Sequence, residues 1–231
     1  MSERELKMAE MLCTRLCHDL TGPIGAVNNG AEFISEDGFG MQGEAVELIV
    51  SSAFSAVSRL QFYRFAYGRV KGQGEASLDD KKQLVEDFFR GTNVKLDWPD
   101  QHGDAANISV SSRMVRLLFN MLIIVSAGLL KGGNISVRFN ENEDNVKSVT
   151  VLATGEAVKW DEAFTPILAG QVSEDEMDPK TVQLFLTTRI AGEIGARLII
   201  THDGNNIEMQ ATQEAPSFSV PEIAGNGESN G

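Results

Sequence analysis

The sequence predicts an α+β protein, in which an N-terminal helical hairpin forms a dimeric four-helix bundle and an α/β sandwich follows it. Three observations carry this. Apolar residues recur at steps of three and four up to Tyr67. A glycine-rich break, GRVKGQGEAS (Gly68 to Ser77), then interrupts the chain. Beyond it, short alternating segments are interleaved with apolar helical ones.

In the first helix the stripe runs through Ala9, Cys13, Leu16, Leu20, Ile24, Val27, Ala31 and Ile34. EDGFG (Glu36 to Gly40) is the expected turn. The second helix repeats the pattern at Ala45, Ile49, Ala53, Ala56, Leu60, Tyr63 and Tyr67, with a further apolar row at Val46, Val50, Phe54 and Val57. Two such rows exceed what one partner helix covers, which predicts a homodimer. Residues 1–70 are assigned to the hairpin, 71–76 to a linker and 77–213 to the second domain. Within the last, helices are expected at Leu78 to Arg90, Ser112 to Leu130 and Thr181 to Gly195. Strands are expected at NVKLDW, ANISVS, NISVRFN, VKSVTVLA, ARLIITHD and NIEMQAT. The tail, 214–231, is rich in Gly, Ser, Asn and Glu and is expected to be disordered.

The 231 residues are 42% hydrophobic, enough for an ordinary core, and carry a formal charge of −13. Such acidity disfavours nucleic acid, and no basic amphipathic stretch suggests a membrane surface. A protein partner fits better. MSERELKMAE carries none of the apolar character of a signal peptide, so a cytoplasmic location is expected. Cys13 and Cys17, one helical turn apart, are expected as free, small, buried or half-buried residues. With His18 they spell C-x-x-x-C-H, one residue longer than a c-type haem signal; His102 and His202 lie in distant segments, which disfavours zinc. No cofactor is expected on this chain.

His18 lies about 200° around the helix from both Leu16 and Leu20, so its ring is predicted to point to solvent. Asp19 follows directly, an acid able to orient the imidazole or assist proton movement. Pro23, flanked by Gly22 and Gly25, interrupts the backbone hydrogen bonding of the same helix. Residues this poor in helix propensity suit a cleared docking surface better than bare stability. By helical spacing Thr14, Arg15, Thr21, Gly22, Gly25 and Asn29 share the histidine's face. Mirroring the hairpin about Phe39 adds Arg59 and Phe62 from the second helix.

The pattern His-acid-x-x-x-Pro resembles the phospho-acceptor box of sensor histidine kinases. The longer string LCHDLTGPIGAVNNGAEF is similar to the ChpT family of alphaproteobacterial histidine phosphotransferases. That resemblance implies a dimeric hairpin and a second domain descended from a kinase ATP-binding domain. It implies that His18 relays phosphoryl groups between the receiver aspartates of a CckA-like hybrid kinase and of CtrA- and CpdR-like response regulators, with Mg²⁺ supplied by the receiver. Gly22 stands where phosphatase-competent kinases often carry Thr or Asn, which speaks against intrinsic phosphatase activity.

The same resemblance frames what the second domain lacks. RLLFNMLIIVSAGLL looks like the Asn-box helix: Asn120 matches its first Asn, and Ile124 takes the place of the second, metal-holding one. In VTVLATGEAV, Ala153 stands where the adenine-binding Asp belongs; Gly155 remains, and Ala157 replaces the next glycine. QVSEDEMDPK replaces a glycine-rich lid with an acidic stretch, read as a solvated loop. Phosphate would then come from another protein. An autophosphorylating kinase and a non-catalytic receiver-binding scaffold are the alternatives.

Overall fold

The computed structural model describes residues 2–35, 42–68, 78–98, 110–141 and 147–213. The expected inter-helix turn, the linker, most of ANISVS and the tail lie outside them.

Helix α1 spans Glu3–Ser35 and continues through Pro23. It opens on a capping box: the Ser2 Oγ accepts from the Glu5 amide at 3.3 Å, and the Ser2 nitrogen donates to Glu5 Oε2 at 2.7 Å. Helix α2, Gln42–Tyr67, packs along it. The helices approach closely at the buried Gly30, where an added Cβ would lie 2.7 Å from Ile49 Cγ1 and 3.1 Å from the Ala45 carbonyl. A side chain there would wedge the helices apart.

Helix α3 (Leu78–Phe89) leads into strand β1 (Val94–Asp97), and α4 (Ser112–Ala127) follows, capped by Ser111, whose Oγ accepts from Met114 N. Then come β2 (Gly133–Glu141), β3 (Lys147–Thr154), a short α5 (Phe164–Leu168), α6 (Val182–Glu193), β4 (Ala196–His202) and β5 (Asn206–Gln213). The sheet order is β1-β2-β3-β5-β4, with β1 parallel to β2 and the other pairs antiparallel. Ile135, Val137, Val149, Val151, Ala153, Ile207, Met209 and Ala211 are buried on one face, under α4 and α6. The alternating residues Ser136, Arg138 and Thr150 face away, the pattern of a sheet covered on one side.

The core does not stop at the hairpin. Phe62 of α2 is fully buried, stacked on Phe88 of α3 at 4.0 Å and on Phe119 of α4 at 4.6 Å, and it belongs to one apolar cluster with the sheet. The C-terminal end of α2 is held by side chains of α4. The Ala66 carbonyl, which no later turn of its own helix can satisfy, accepts from Asn120 Nδ2 at 2.9 Å and Arg116 Nε at 3.2 Å.

The start of α1 is tied down as well. Arg4 forks onto Asp175, both contacts at 2.7 Å, and Arg189 forks onto Glu174. Asp178 accepts from the Lys180 and Thr181 amides and from the Thr181 hydroxyl, contacts that hold its carboxyl below the usual range. The acidic stretch expected to be a solvated loop is thus a set of ion pairs and caps joining α1 to α6. Arg4 and Asp175 are too far apart in the chain for any local pattern to announce their pairing.

Candidate functional site

His18 stands on the outer face of α1 with its side chain 88% exposed, as the helical phase predicts. Its Nδ1 lies 3.2 Å from Asp19 Oδ1. A carboxylate oxygen that accepts here takes its hydrogen from Nδ1–H, and in that tautomer Nε2 is the ring nitrogen with the lone pair. Asp19 is mostly covered, and its second oxygen, Oδ2, accepts from the Tyr63 hydroxyl at 2.6 Å. Burial, and then the bond to Asp19, push the Tyr63 phenol well above its ordinary range, so it remains a donor.

Around the ring the surface is low. An added Cβ at Gly22 or at Gly25 would meet nothing within 4 Å, so both glycines leave open space on this face of the helix. Thr14 and Thr21 are exposed with their hydroxyls turned back to the Glu10 and Cys17 carbonyls, and Asn29 is exposed about three turns further along the same face. Of the residues expected on the face of His18, Thr14, Thr21, Gly22 and Asn29 are exposed and Gly25 is half-exposed.

Three expectations need correction. Phe62 is not on the docking face; at its height Phe88 and Phe119 cover α2, packing that a mirror image of an isolated hairpin does not contain. Arg15 is half-buried rather than presented outward. Its Nε is covered and has no hydrogen-bond partner among the described residues, and its charge opposes the upward pull of burial on Tyr67, whose phenol is pushed up to about 12. Cys13 and Cys17 are both exposed free thiols, not the buried or half-buried residues expected. Arg59 is half-buried, its guanidinium 5.7 Å from the Phe88 ring centre and its Nε on Ser55.

Tyr63 is the residue sequence reasoning missed. It sits in an apolar row, where a phenol reads as core. Mirroring about Phe39 places Asp19 beside Arg59, one turn short of its real partner. The hydroxyl on an otherwise apolar row was the one available signal.

In the second region, Ile124 and Ala153 are buried apolar residues of α4 and β3. Asn120 is wholly buried too, its amide on Ala66 and its Oδ1 accepting from Gln183. Gly155 has a packing reason to persist: a Cβ there would lie 2.8 Å from the Gly132 carbonyl. Among the described residues no group of three or more His, Cys, Asp and Glu side chains is placed to hold a metal, and no helix is long and apolar enough to cross a membrane.

An exposed histidine on a helical hairpin, backed by an α/β sandwich whose nucleotide positions are apolar, defines the class of hairpin phosphotransferases. The comparisons with known proteins agree. The family model of the histidine phosphotransferase C-terminal domain matches residues 78–206. The protein phosphotransferase ChpT of Brucella abortus is 30% identical over 89% of this chain and 95% of its own. A solved bacterial phosphotransferase superposes with a TM-score of 0.75 at 30% identity, covering 91% of this chain and 97% of the other. The chain belongs to the ChpT-type histidine phosphotransferase family, and its activity is protein phosphotransfer. Its partners are proteins of two-component phosphorelays.

Proposed function

We propose that His18 is the phosphoryl carrier, taking the group from the aspartyl phosphate of one receiver domain and passing it to the aspartate of another. The carrying observation is the 88% exposed imidazole whose Nδ1 is occupied by Asp19. The Nε2 lone pair attacks phosphorus, a P–N bond forms, and the P–O bond to the receiver breaks, its carboxylate leaving with the electron pair. Asp19 stabilises the positive charge that develops on the ring. The return step reverses this on a second receiver. Mg²⁺ bound by the receiver neutralises the phosphoryl oxygens, so this chain contributes no metal ligand.

The low surface made by Gly22, Gly25, Thr14, Thr21 and Asn29 suits a receiver helix docking across the histidine. By family resemblance the donor is a CckA-like hybrid kinase and the acceptors are CtrA- and CpdR-like regulators, all reached in the cytoplasm. Buried Ile124 and Ala153 favour a protein over ATP as the phosphate source. Exposed Ile24, Val46, Val50, Val57 and Leu60 favour a homodimer that covers them in a four-helix bundle.

The test mixes the protein with a phosphorylated receiver. Acid-labile, base-stable label is expected on the wild type and none on His18→Ala. Label retained by that variant would place the carrier elsewhere, and receiver binding without label on the wild type would leave a scaffold.

A further inference from the structure

Asp19 can orient His18 only if something orients Asp19. On its own helix the carboxylate has no further partner to fix its rotation; the fixed contact comes from α2. The Tyr63 hydroxyl, buried at the interface of the two helices, donates to Asp19 Oδ2 at 2.6 Å, a length typical of a charge-assisted O–H···O⁻ bond. That bond leaves Oδ1 facing the imidazole.

Tyr63 is itself held from the second region. Its ring stacks on Tyr67 with centroids 5.2 Å apart and planes 17° from parallel, and meets Phe62 and Phe88 edge-on. The Tyr67 hydroxyl donates to Gln183 Oε1 at 2.8 Å, and Gln183 Nε2 donates to Asn120 Oδ1 at 2.8 Å. Asn120 in turn clasps the Ala66 carbonyl, fixing the end of the helix that carries both tyrosines. A path of packed and hydrogen-bonded side chains thus runs from α4 and α6 to the histidine.

We propose that Tyr63 is a positioning residue for phosphotransfer: its hydroxyl sets Asp19 so that the His18 proton stays on Nδ1 and Nε2 is kept as the attacking nitrogen. The inference rests on His18 being the phosphoryl carrier. It gives the second region a role in the reaction, as the backing that holds the Tyr67–Tyr63 stack. An imidazole free in water favours the proton on Nε2, the wrong nitrogen for attack from the exposed side. Holding the other tautomer therefore removes an unproductive population before a receiver arrives.

The experiment uses full-length protein with ¹⁵N-labelled histidine in wild type, Tyr63→Phe, Asp19→Ala and the double variant. The ring nitrogen shifts report the tautomer without any receiver present. Label transfer from a phosphorylated receiver reports the rate. Wild type is expected with the proton on Nδ1. Tyr63→Phe should move the ring toward the Nε2–H form and slow transfer about tenfold, the usual scale for losing an orienting partner. Adding Tyr63→Phe to Asp19→Ala should cost nothing further, since the tyrosine acts through the carboxylate.

A normal rate in Tyr63→Phe would overturn the proposal. So would a slower rate with an unchanged tautomer, or full additivity in the double variant. If Tyr63→Phe fails to fold, Asp19→Ala removes the same contact from the exposed side, and an unshifted ring there overturns it equally. A wild type that takes no label from any receiver would sink the carrier assignment itself, and the positioning role of Tyr63 with it; that pattern is distinct from an active wild type matched by its variant.

Discussion

Helices α1 and α4 are the two regions to set side by side. Of the 33 residues of α1 only Met8 and Gly30 are buried, whereas α4 buries 11 of its 16. Both are rich in apolar side chains, yet α4 is covered on all sides by α2, α6 and the sheet. Along α1 and α2, Ile24, Val50 and Val57 stand 56%, 63% and 53% exposed. A chain that completes one helix and leaves another open is divided between an interior finished by itself and a surface finished by other proteins. The face that bears His18 and the bare apolar rows both fall on the open side.

The largest break in that division comes from its junction. Phe62→Ala removes a fully buried ring that α2 lends to the closed region, leaving Phe88 and Phe119 without their stacking partner. Loss of about 3–5 kcal/mol is expected, read as a fall in the urea midpoint with an unchanged slope. A loss below about 1 kcal/mol would mean that the hairpin and sandwich are energetically separate. Next comes the open side. Val50→Asp together with Val57→Asp puts carboxylates on the bare row, where a free chain hydrates them at little cost. In a dimer each would be desolvated at roughly 2 kcal/mol or more. The expected outcome by light scattering is a dimer for wild type and a single chain for the variant, with the chain still folded by circular dichroism. Equal masses would place the dimer contact on another face.

Much of this was legible from one-dimensional patterns. The hairpin, the alternating strands and the outward phase of His18 each depend on neighbours within one or two turns, which periodicity records. What was lost depends on contacts between distant segments. Phe62 is buried because α3 and α4 arrive over it, and Arg15 is half-buried with its charge felt by Tyr63 and Tyr67. Tyr63 looked apolar because its polar atom serves a residue 44 positions away. Helix α5 was missed because five residues around a proline have too little length for a period to show. The open Cys13 shows the converse error, since a stripe continues in sequence whether or not the chain itself supplies the cover.

The smallest effect is expected at the near end of α1, and it sharpens where the open region begins. Arg4 meets Asp175 in a two-pronged contact, but the side chains are 57% and 60% exposed. Water and salt screen such a pair, and two long side chains must be held in one geometry. Arg4→Ala should therefore cost no more than about 1 kcal/mol, a shift of about 2–4 °C in Tm, and less in molar salt, where the screening length shrinks to about 3 Å. Lys7, whose Nζ lies 3.5 Å from the Asp175 carbonyl, keeps a weaker tie in the variant. Met8, one turn beyond Arg4, is buried in the shared core and anchors α1 by apolar contact instead. A salt-independent loss would show that the ion pair matters by positioning Met8, and that the closed region reaches to the first turn of the histidine helix.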